Sequence, residues 1–286
     1  MIREGSAGHA LAGSALAGLL ALGCAPAEPP AETLGAGRRI VSLDYCADQF
    51  VLALADRSRV VAVSTGADTG FSYLREQARG LPTVRPRAED VLALSPDLVV
   101  RSYGGGPNAR AFFERAGIAV HQIGFADDVE DVRTSIRAAA RALGAVERGE
   151  ALVTDMDRRL AAVDPLAGLA LYTTPSGVTA GSGTLVHAML EVAGLTNFQA
   201  APGWRSIPLE RMAYEQPDLI ASASFGDSWD HDDAWTPMRH PVARRMSEGR
   251  PVVALEGATT SCGGWFLADA VERLASARAS SSGPRP

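Results

Sequence analysis

The sequence predicts an α/β fold of two similar Rossmann-like lobes bridged by a long helix. Three observations carry this. Short apolar, β-branched runs alternate with helical periods in both halves. A stretch from Asp128 to Val163 is helical almost throughout and separates the two alternating patterns. One segment of the first half recurs in the second. With 286 residues, 47% of them hydrophobic, the chain can bury a core in each of two lobes.

In chain order, Arg39 to Leu43 reads as a buried strand ending at Asp44, and Cys46 to Leu54 takes up a helical period. Val60 to Val63 is a second strand. Glu89 to Leu94 is helical and stops at Ser95-Pro96, because proline disfavours helix in the residue before it. Asp97 to Val100 and Ile118 to Ile123 are further strands, separated by the loop Gly104 to Pro107 and a helix from Ala109 to Ala116. The central helical stretch is expected to break near Gly144 and Gly149 and to close at Asp164-Pro165. Leu169 to Tyr172 restarts the alternation, and a helix from Leu185 to Val192 ends at Ala193-Gly194.

The recurrence is specific in its spacing. Glu89 stands seven residues before Pro96-Asp97-Leu98, and Glu210 seven before Pro217-Asp218-Leu219; each triplet leads into a strand. A single recurrence about 120 residues apart indicates two similar lobes rather than a solenoid.

The first 24 residues read as an export signal: Arg3, then an apolar small-residue run from Ala10 to Gly23 that is too short to span a bilayer. Gly23-Cys24 resembles a lipoprotein cleavage site, although Ala21 stands where leucine is usual; a soluble cut after Ala25-Pro26-Ala27 competes with it. The expected division is 1–24 signal, 25–37 Pro/Gly-rich linker, 38–144 first lobe, 145–164 interlobe helix, 165–277 second lobe and 278–286 disordered tail. A periplasmic location follows; the lipoprotein cut would make a lipid anchor at Cys24 the one attachment to the membrane, and the soluble cut would leave none. The net charge of −6 argues against a nucleic-acid partner. All 27 basic residues are arginine, which reads as codon bias.

In open α/β sheets ligands gather at the carboxyl ends of strands. That rule selects Tyr45, Cys46, Tyr103, Trp204, the loop Ser224 to Trp235 with Asp227 and Trp229, and Cys262 to Trp265. Aromatics there suit a large planar ligand, although an aromatic more often fills core. Asp227, Asp230, His231, Asp232 and Asp233 could ligate a metal, but a solvated acidic loop is the plainer reading, and no metal site is assigned. Cys46 and Cys262 admit three readings: a disulfide across a cleft, a thiolate pair on a metal or metal-containing ligand, or two unrelated thiols. No hydrolase elbow, metalloprotease helix, P-loop or dinucleotide fingerprint is present, and His121 and His187 read as packed residues. An exported hydrolase is thus a poor alternative, and no catalytic residue is assigned.

These features together resemble the cobalamin- and siderophore-binding class of periplasmic substrate-binding proteins that serve ABC importers. The resemblance rests on Arg39 to Gln49, the two Glu/Pro-Asp-Leu segments, Ala180 to Thr184, Leu190 to Asn197 and Cys262 to Gly264. It implies two lobes joined by one long helix, with a corrinoid or iron-chelate ligand in the cleft between them; haem or a metal ion is the alternative cargo. It also implies that Glu89 and Glu210 dock onto the importer's permease dimer, which works with its ATPase, while an acid in a helical first turn is the ordinary alternative. Trp204 matches a ligand-contacting tryptophan of the cobalamin binders, and Phe71 and Tyr73 fall in a similar family loop. Val84 departs from those binders, which tend to carry tryptophan there. A monomer without a resident cofactor is expected, the cargo itself supplying any cobalt or iron.

Overall fold

A parallel strand buried on both faces is spelled as a short apolar run, and the runs of this sequence form such strands at the centre of each sheet, while the edge strands are partly exposed. The computed structural model describes residues 38–226, 236–248 and 250–277. Its first half runs β1 (Ile40–Ser42), α1 (Tyr45–Leu54), β2 (Val60–Ser64), α2 (Arg75–Ala78), β3 (Thr83–Val84) and α3 (Ala88–Leu92). It continues with β4 (Leu98–Arg101), α4 (Ala109–Arg115), β5 (Ala119–Gln122) and α5 (Val129–Leu143). These strands make one sheet in the order β3-β2-β1-β4-β5, parallel at every pairing.

Helix α6 (Val146–Ala161) leads into the second half: β6 (Leu169–Thr173), β7 (Val178–Ala180), α7 (Leu185–Val192), β8 (Thr196–Asn197), β9 (Trp204–Ser206) and α8 (Leu209–Tyr214). Then follow β10 (Leu219–Ser224), α9 (Pro241–Ser247), β11 (Val252–Glu256), α10 (Ala258–Ser261) and α11 (Leu267–Ala275). Strands β11-β10-β6-β8 form a parallel sheet, and β7 and β9 pair antiparallel as a separate ribbon. The two sheets share their wiring. With β6, β8, β10 and β11 as counterparts of β1, β2, β4 and β5, the orders β8-β6-β10-β11 and β2-β1-β4-β5 coincide. The recurring sequence segment feeds β4 in one sheet and β10 in the other.

Side chains alternate between the faces of each sheet. Ile40, Leu98 and Val100 join Ala170, Tyr172, Leu219 and Ala221 in one apolar cluster. Val41 and Val99 face a second cluster, and Leu171 and Ile220 a third. The first cluster runs unbroken through both halves and takes in Phe50, Ile136, Met156 and Leu267 from α1, α5, α6 and α11. The two sheets are therefore packed through a common core, in which α5 touches α7 and α6 touches both α5 and α11.

The central helical stretch breaks once, not twice. Gly144 ends α5 in the left-handed region (φ 70°), and Ala145 N–H returns to Ala140 O at 2.8 Å. Gly149 lies inside α6, where a Cβ would stand 2.3 Å from the Ala140 Cβ; this glycine permits close helix packing. No helix among the described residues is long and apolar enough to cross a membrane.

Candidate functional site

Parallel wiring sends the carboxyl ends of β1 and β4 to the same edge of the first sheet, and one buried carboxylate organises both loops there. Asp44 caps α1 by accepting Ala47 N–H at 2.9 Å through Oδ1. Its Oδ2 accepts the N–H groups of Ser102, Tyr103 and Gly104 at 2.7, 3.1 and 2.8 Å. Tyr45 and Tyr103 are thereby held side by side. A Cβ on Gly104 would stand 2.4 Å from Leu43 O, so glycine is what lets the loop reach Asp44. Buried Arg101 secures the same loop, donating to Gly104 O at 2.7 Å, Gly106 O at 2.9 Å and Gln122 Oε1 at 2.7 Å.

The Tyr45 and Tyr103 rings meet edge-on at 5.7 Å, and Tyr45 lies 5.5 Å from Phe71. Burial raises the pKa of both phenols. Both are therefore neutral at physiological pH, so the pair offers an amphipathic surface rather than a phenolate. From the second half, Trp204 on β9 rests edge-on against Tyr172 at 6.1 Å and is 54% exposed. Tyr172 is fixed beneath it by a 2.9 Å bond between its hydroxyl and that of Thr260. Phe125, in the loop after β5, is 86% exposed. These side chains surround a cavity of about 330 Å³ between the two sheets, completed by Ser102, Asp127, Thr184, Thr260 and Ser261.

Cys46 and Cys262 form a disulfide in this lining, with their Cα atoms 5.5 Å apart. Of the three sequence readings the disulfide holds, and the thiolate-pair and unrelated-thiol readings fall. The bond fastens α1 of the first half to the end of α10 in the second. Around it the halves are sealed further. Ser261 Oγ donates to Phe71 O at 2.8 Å, and Phe71 stacks on Phe225 at 4.5 Å. A Cβ on Gly70 would fall 1.7 Å from Phe225 O.

Of the residues selected from the sequence, Tyr45, Cys46, Tyr103, Trp204 and Cys262 come together around the cavity. Tyr73 and Trp265 do not line it. The Tyr73 hydroxyl donates to Asp269 Oδ2 at 2.6 Å, and its ring stacks on Phe266 at 4.7 Å. Trp265 packs edge-on against Phe50 and Phe266. Both serve the seam between the halves, which buries aromatic area more completely than the open cleft. Asp227, Trp229, Cys24 and the acids of the 227–235 loop lie outside the described residues. Among the described residues no group of three or more His, Cys, Asp and Glu is placed to hold a metal. Glu89 and Glu210 are each the second residue of a short helix, α3 and α8; both are exposed and in no ion pair among the described residues.

Sequence reasoning passed over Asp44, Phe125, Asp127, Thr184 and Thr260. Phe125 and Asp127 directly follow the predicted strand 118–123, so the strand-end rule reaches them once that strand is included. Asp44 and Thr184 carried a cap signal: each precedes a helix whose third residue donates its N–H to the side chain.

The family model described as periplasmic binding protein matches residues 40–233. A search among curated proteins gives no match. Among solved structures, the periplasmic heme-binding protein BhuT in complex with two hemes is 27% identical, covering 84% of this chain and 98% of its own, with a TM-score of 0.65. A periplasmic heme-binding protein from Pseudomonas aeruginosa is 25% identical over 87% of this chain and 95% of its own, with a TM-score of 0.68. The periplasmic vitamin B12-binding protein BtuF of Vibrio cholerae shares the fold, at 19% identity over 86% of this chain and 98% of its own, with a TM-score of 0.60.

Proposed function

Because the chain belongs to the periplasmic binding protein family, whose members bind small molecules and work with ABC transporters, we propose that it carries a planar macrocyclic metal complex or iron chelate to an importer. The cargo class is a corrinoid or an iron chelate, haem included. The observation that carries this reading is the cavity between the two sheets, where Tyr45, Tyr103 and Phe125 from one half face Trp204 from the other. Rigid aromatic faces bind a flat ring with little loss of side-chain entropy. The heme bound by BhuT and the vitamin B12 bound by BtuF are rings of this kind.

In this reading the lobes are 38–144 and 165–277, with α6 as the strut between them, and the protein acts as a monomer. The closely packed seam favours small adjustments on binding over wide closure. Glu89 and Glu210 meet the two subunits of the permease, whose ATPase drives release. Cys24, if acylated after export, tethers the carrier to the membrane.

The test is titration of the purified protein with haemin, cyanocobalamin and ferrichrome, followed by absorbance and tryptophan fluorescence. Saturable one-to-one binding of at least one is expected. Trp204→Ala should weaken it about tenfold, the worth of one aromatic stack. If none binds, and protein purified from its native host carries no metal complex by mass spectrometry, the cargo reading fails.

A further inference from the structure

We infer that the cleft selects its cargo by charge and hydrogen-bonding polarity, favouring a macrocycle rimmed with carboxamides over one rimmed with carboxylates. This deepens the cargo reading above and rests on it.

The first ground is the charge of the lining. Among the described residues around the cavity the one charged side chain is Asp127, and no arginine or histidine is present. The chain contains no lysine whose long arm could reach in. Two arginines adjoin lining residues in sequence, and both are turned elsewhere. Arg101, beside Ser102, is buried and directs its three nitrogens to Gly104 O, Gly106 O and Gln122 Oε1. Arg205, beside Trp204, donates to Pro202 O at 2.8 Å. Among the described residues, a carboxylate entering this cleft meets a like charge at Asp127 and no cation to offset its loss of water.

The second ground is the direction of the hydroxyl protons. Thr184 Oγ1 donates to Gly181 O at 2.7 Å, Thr260 Oγ1 to Gly257 O at 3.0 Å, and Ser261 Oγ to Phe71 O at 2.8 Å. With these protons committed within the protein, Thr184, Thr260 and Ser261 turn oxygen rather than hydrogen to the cavity, each keeping a lone pair beyond the His187 N–H that Thr184 accepts and the Tyr172 hydroxyl that Thr260 accepts; the Tyr45 and Ser102 hydroxyls remain as donors. The Asp127 carboxylate, which accepts no hydrogen bond among the described residues, adds further acceptors. A lining rich in acceptors is complemented by N–H donors. A carboxamide has two, whereas an ionised carboxylate has none.

The experiment uses two pairs of probes, each sharing one ring: haemin with its bis-propionamide, and cyanocobalamin with its monocarboxylic acids. Each is titrated into the purified chain by absorbance at low ionic strength. The amide member of a pair should bind about tenfold more tightly than its acid, as expected for one uncompensated like-charge contact in a half-desolvated cleft. Asp127 is exposed, so Asp127→Asn should fold normally; it should narrow the gap by about threefold or more, and Asp127→Arg should narrow it further. If acids bind as tightly as amides in both pairs, charge selection is overturned while the cargo reading stands. If no macrocycle of either pair binds, both fall together.

Discussion

Asp218 accepts the backbone N–H of Leu169 at 2.8 Å, and Asp97 does the same for Arg39 at 2.7 Å. Both aspartates follow a proline, precede the next strand, and pin the start of an inner strand, β6 or β1, to its neighbour. Their own N–H groups return the bond, Asp218 to Leu169 O at 2.7 Å and Asp97 to Arg39 O at 2.9 Å. The recurring Pro-Asp-Leu is thus a clamp used once per sheet. Asp97→Ala and Asp218→Ala should each lower stability by about 1 kcal/mol, less than a buried charge-assisted bond because both sites are exposed. The sites share no partners, so the losses should add in urea denaturation, with ligand affinity unchanged. A double variant as stable as the parent would remove the clamp.

This clamp also marks what the sequence could convey. Parallel strands, the stops at Gly144 and Gly194, and the duplicated wiring were legible because each follows from local periodicity or a local backbone requirement. Gly149 was misjudged because its reason is a neighbouring helix, 2.3 Å from a would-be Cβ, and no local pattern reports that. The site was legible only as far as strand ends: Tyr45, Tyr103 and Trp204 follow that rule into the cavity. Tyr73 and Trp265 obey the same local logic, yet the seam between halves claims them. Whether Cys46 meets Cys262 depends on a 5.5 Å distance across a sequence separation of 216, which spacing cannot encode.

Asp44 should prove the most sensitive position near the cleft that touches no ligand. Asp44→Ala removes the acceptor of four backbone N–H groups at once, three of them in the Ser102–Gly104 loop, and should cost about 3 kcal/mol. Asp44→Asn keeps one acceptor oxygen and should cost less. In both variants the amides of residues 102–104 should exchange hydrogen faster and ligand affinity should fall. Unchanged exchange at these amides would mean that Arg101 alone suffices to hold the loop.

Asp48 gives the protein a pH-dependent stability. Burial in α1 pushes its carboxyl up to about 6 from an ordinary 3.8, against hydrogen bonds from Ser64 N–H at 3.0 Å and Ser64 Oγ at 2.5 Å. Below pH 3.8 the group is protonated folded or unfolded and carries no penalty. Between 3.8 and 6 the unfolded chain ionises first, so stability falls as pH rises, and above 6 the penalty is constant. The difference amounts to about 3 kcal/mol. Asp48→Asn should gain that much on the parent between pH 3 and pH 7 in denaturant titrations. A difference independent of pH would place the titration elsewhere.

The Cys46–Cys262 bond closes a loop across a sequence separation of 216, most of the chain. Chain entropy sets its stabilisation at up to about 5 kcal/mol, and any structure retained in the reduced unfolded chain lowers this. Cys46→Ser with Cys262→Ser should lower Tm markedly but leave a folded protein, because the apolar cluster shared by the two halves persists. Since Cys46 adjoins Tyr45, one cavity wall should loosen as well and ligand affinity should fall several-fold, a loss reproduced by thiol reduction of the parent. Equal affinity with and without the bond would confine its role to stability.

Glu89 and Glu210 provide the test of docking. They stand on equivalent short helices before the two clamped aspartates, exposed, and neither lines the cavity. Reversing an exposed charge costs little stability, so Glu89→Arg with Glu210→Arg should bind cargo as the parent does. In the proposed docking, each reversal would replace an attractive contact with a repulsive one, and like-charge juxtaposition in an interface costs several kcal/mol. Uptake in a reconstituted importer should therefore drop by two orders of magnitude or more in the double variant, on the order of 3 kcal/mol. Single variants should fall between. Uptake equal to the parent's, with cargo binding intact, would show that the permease reads some other surface.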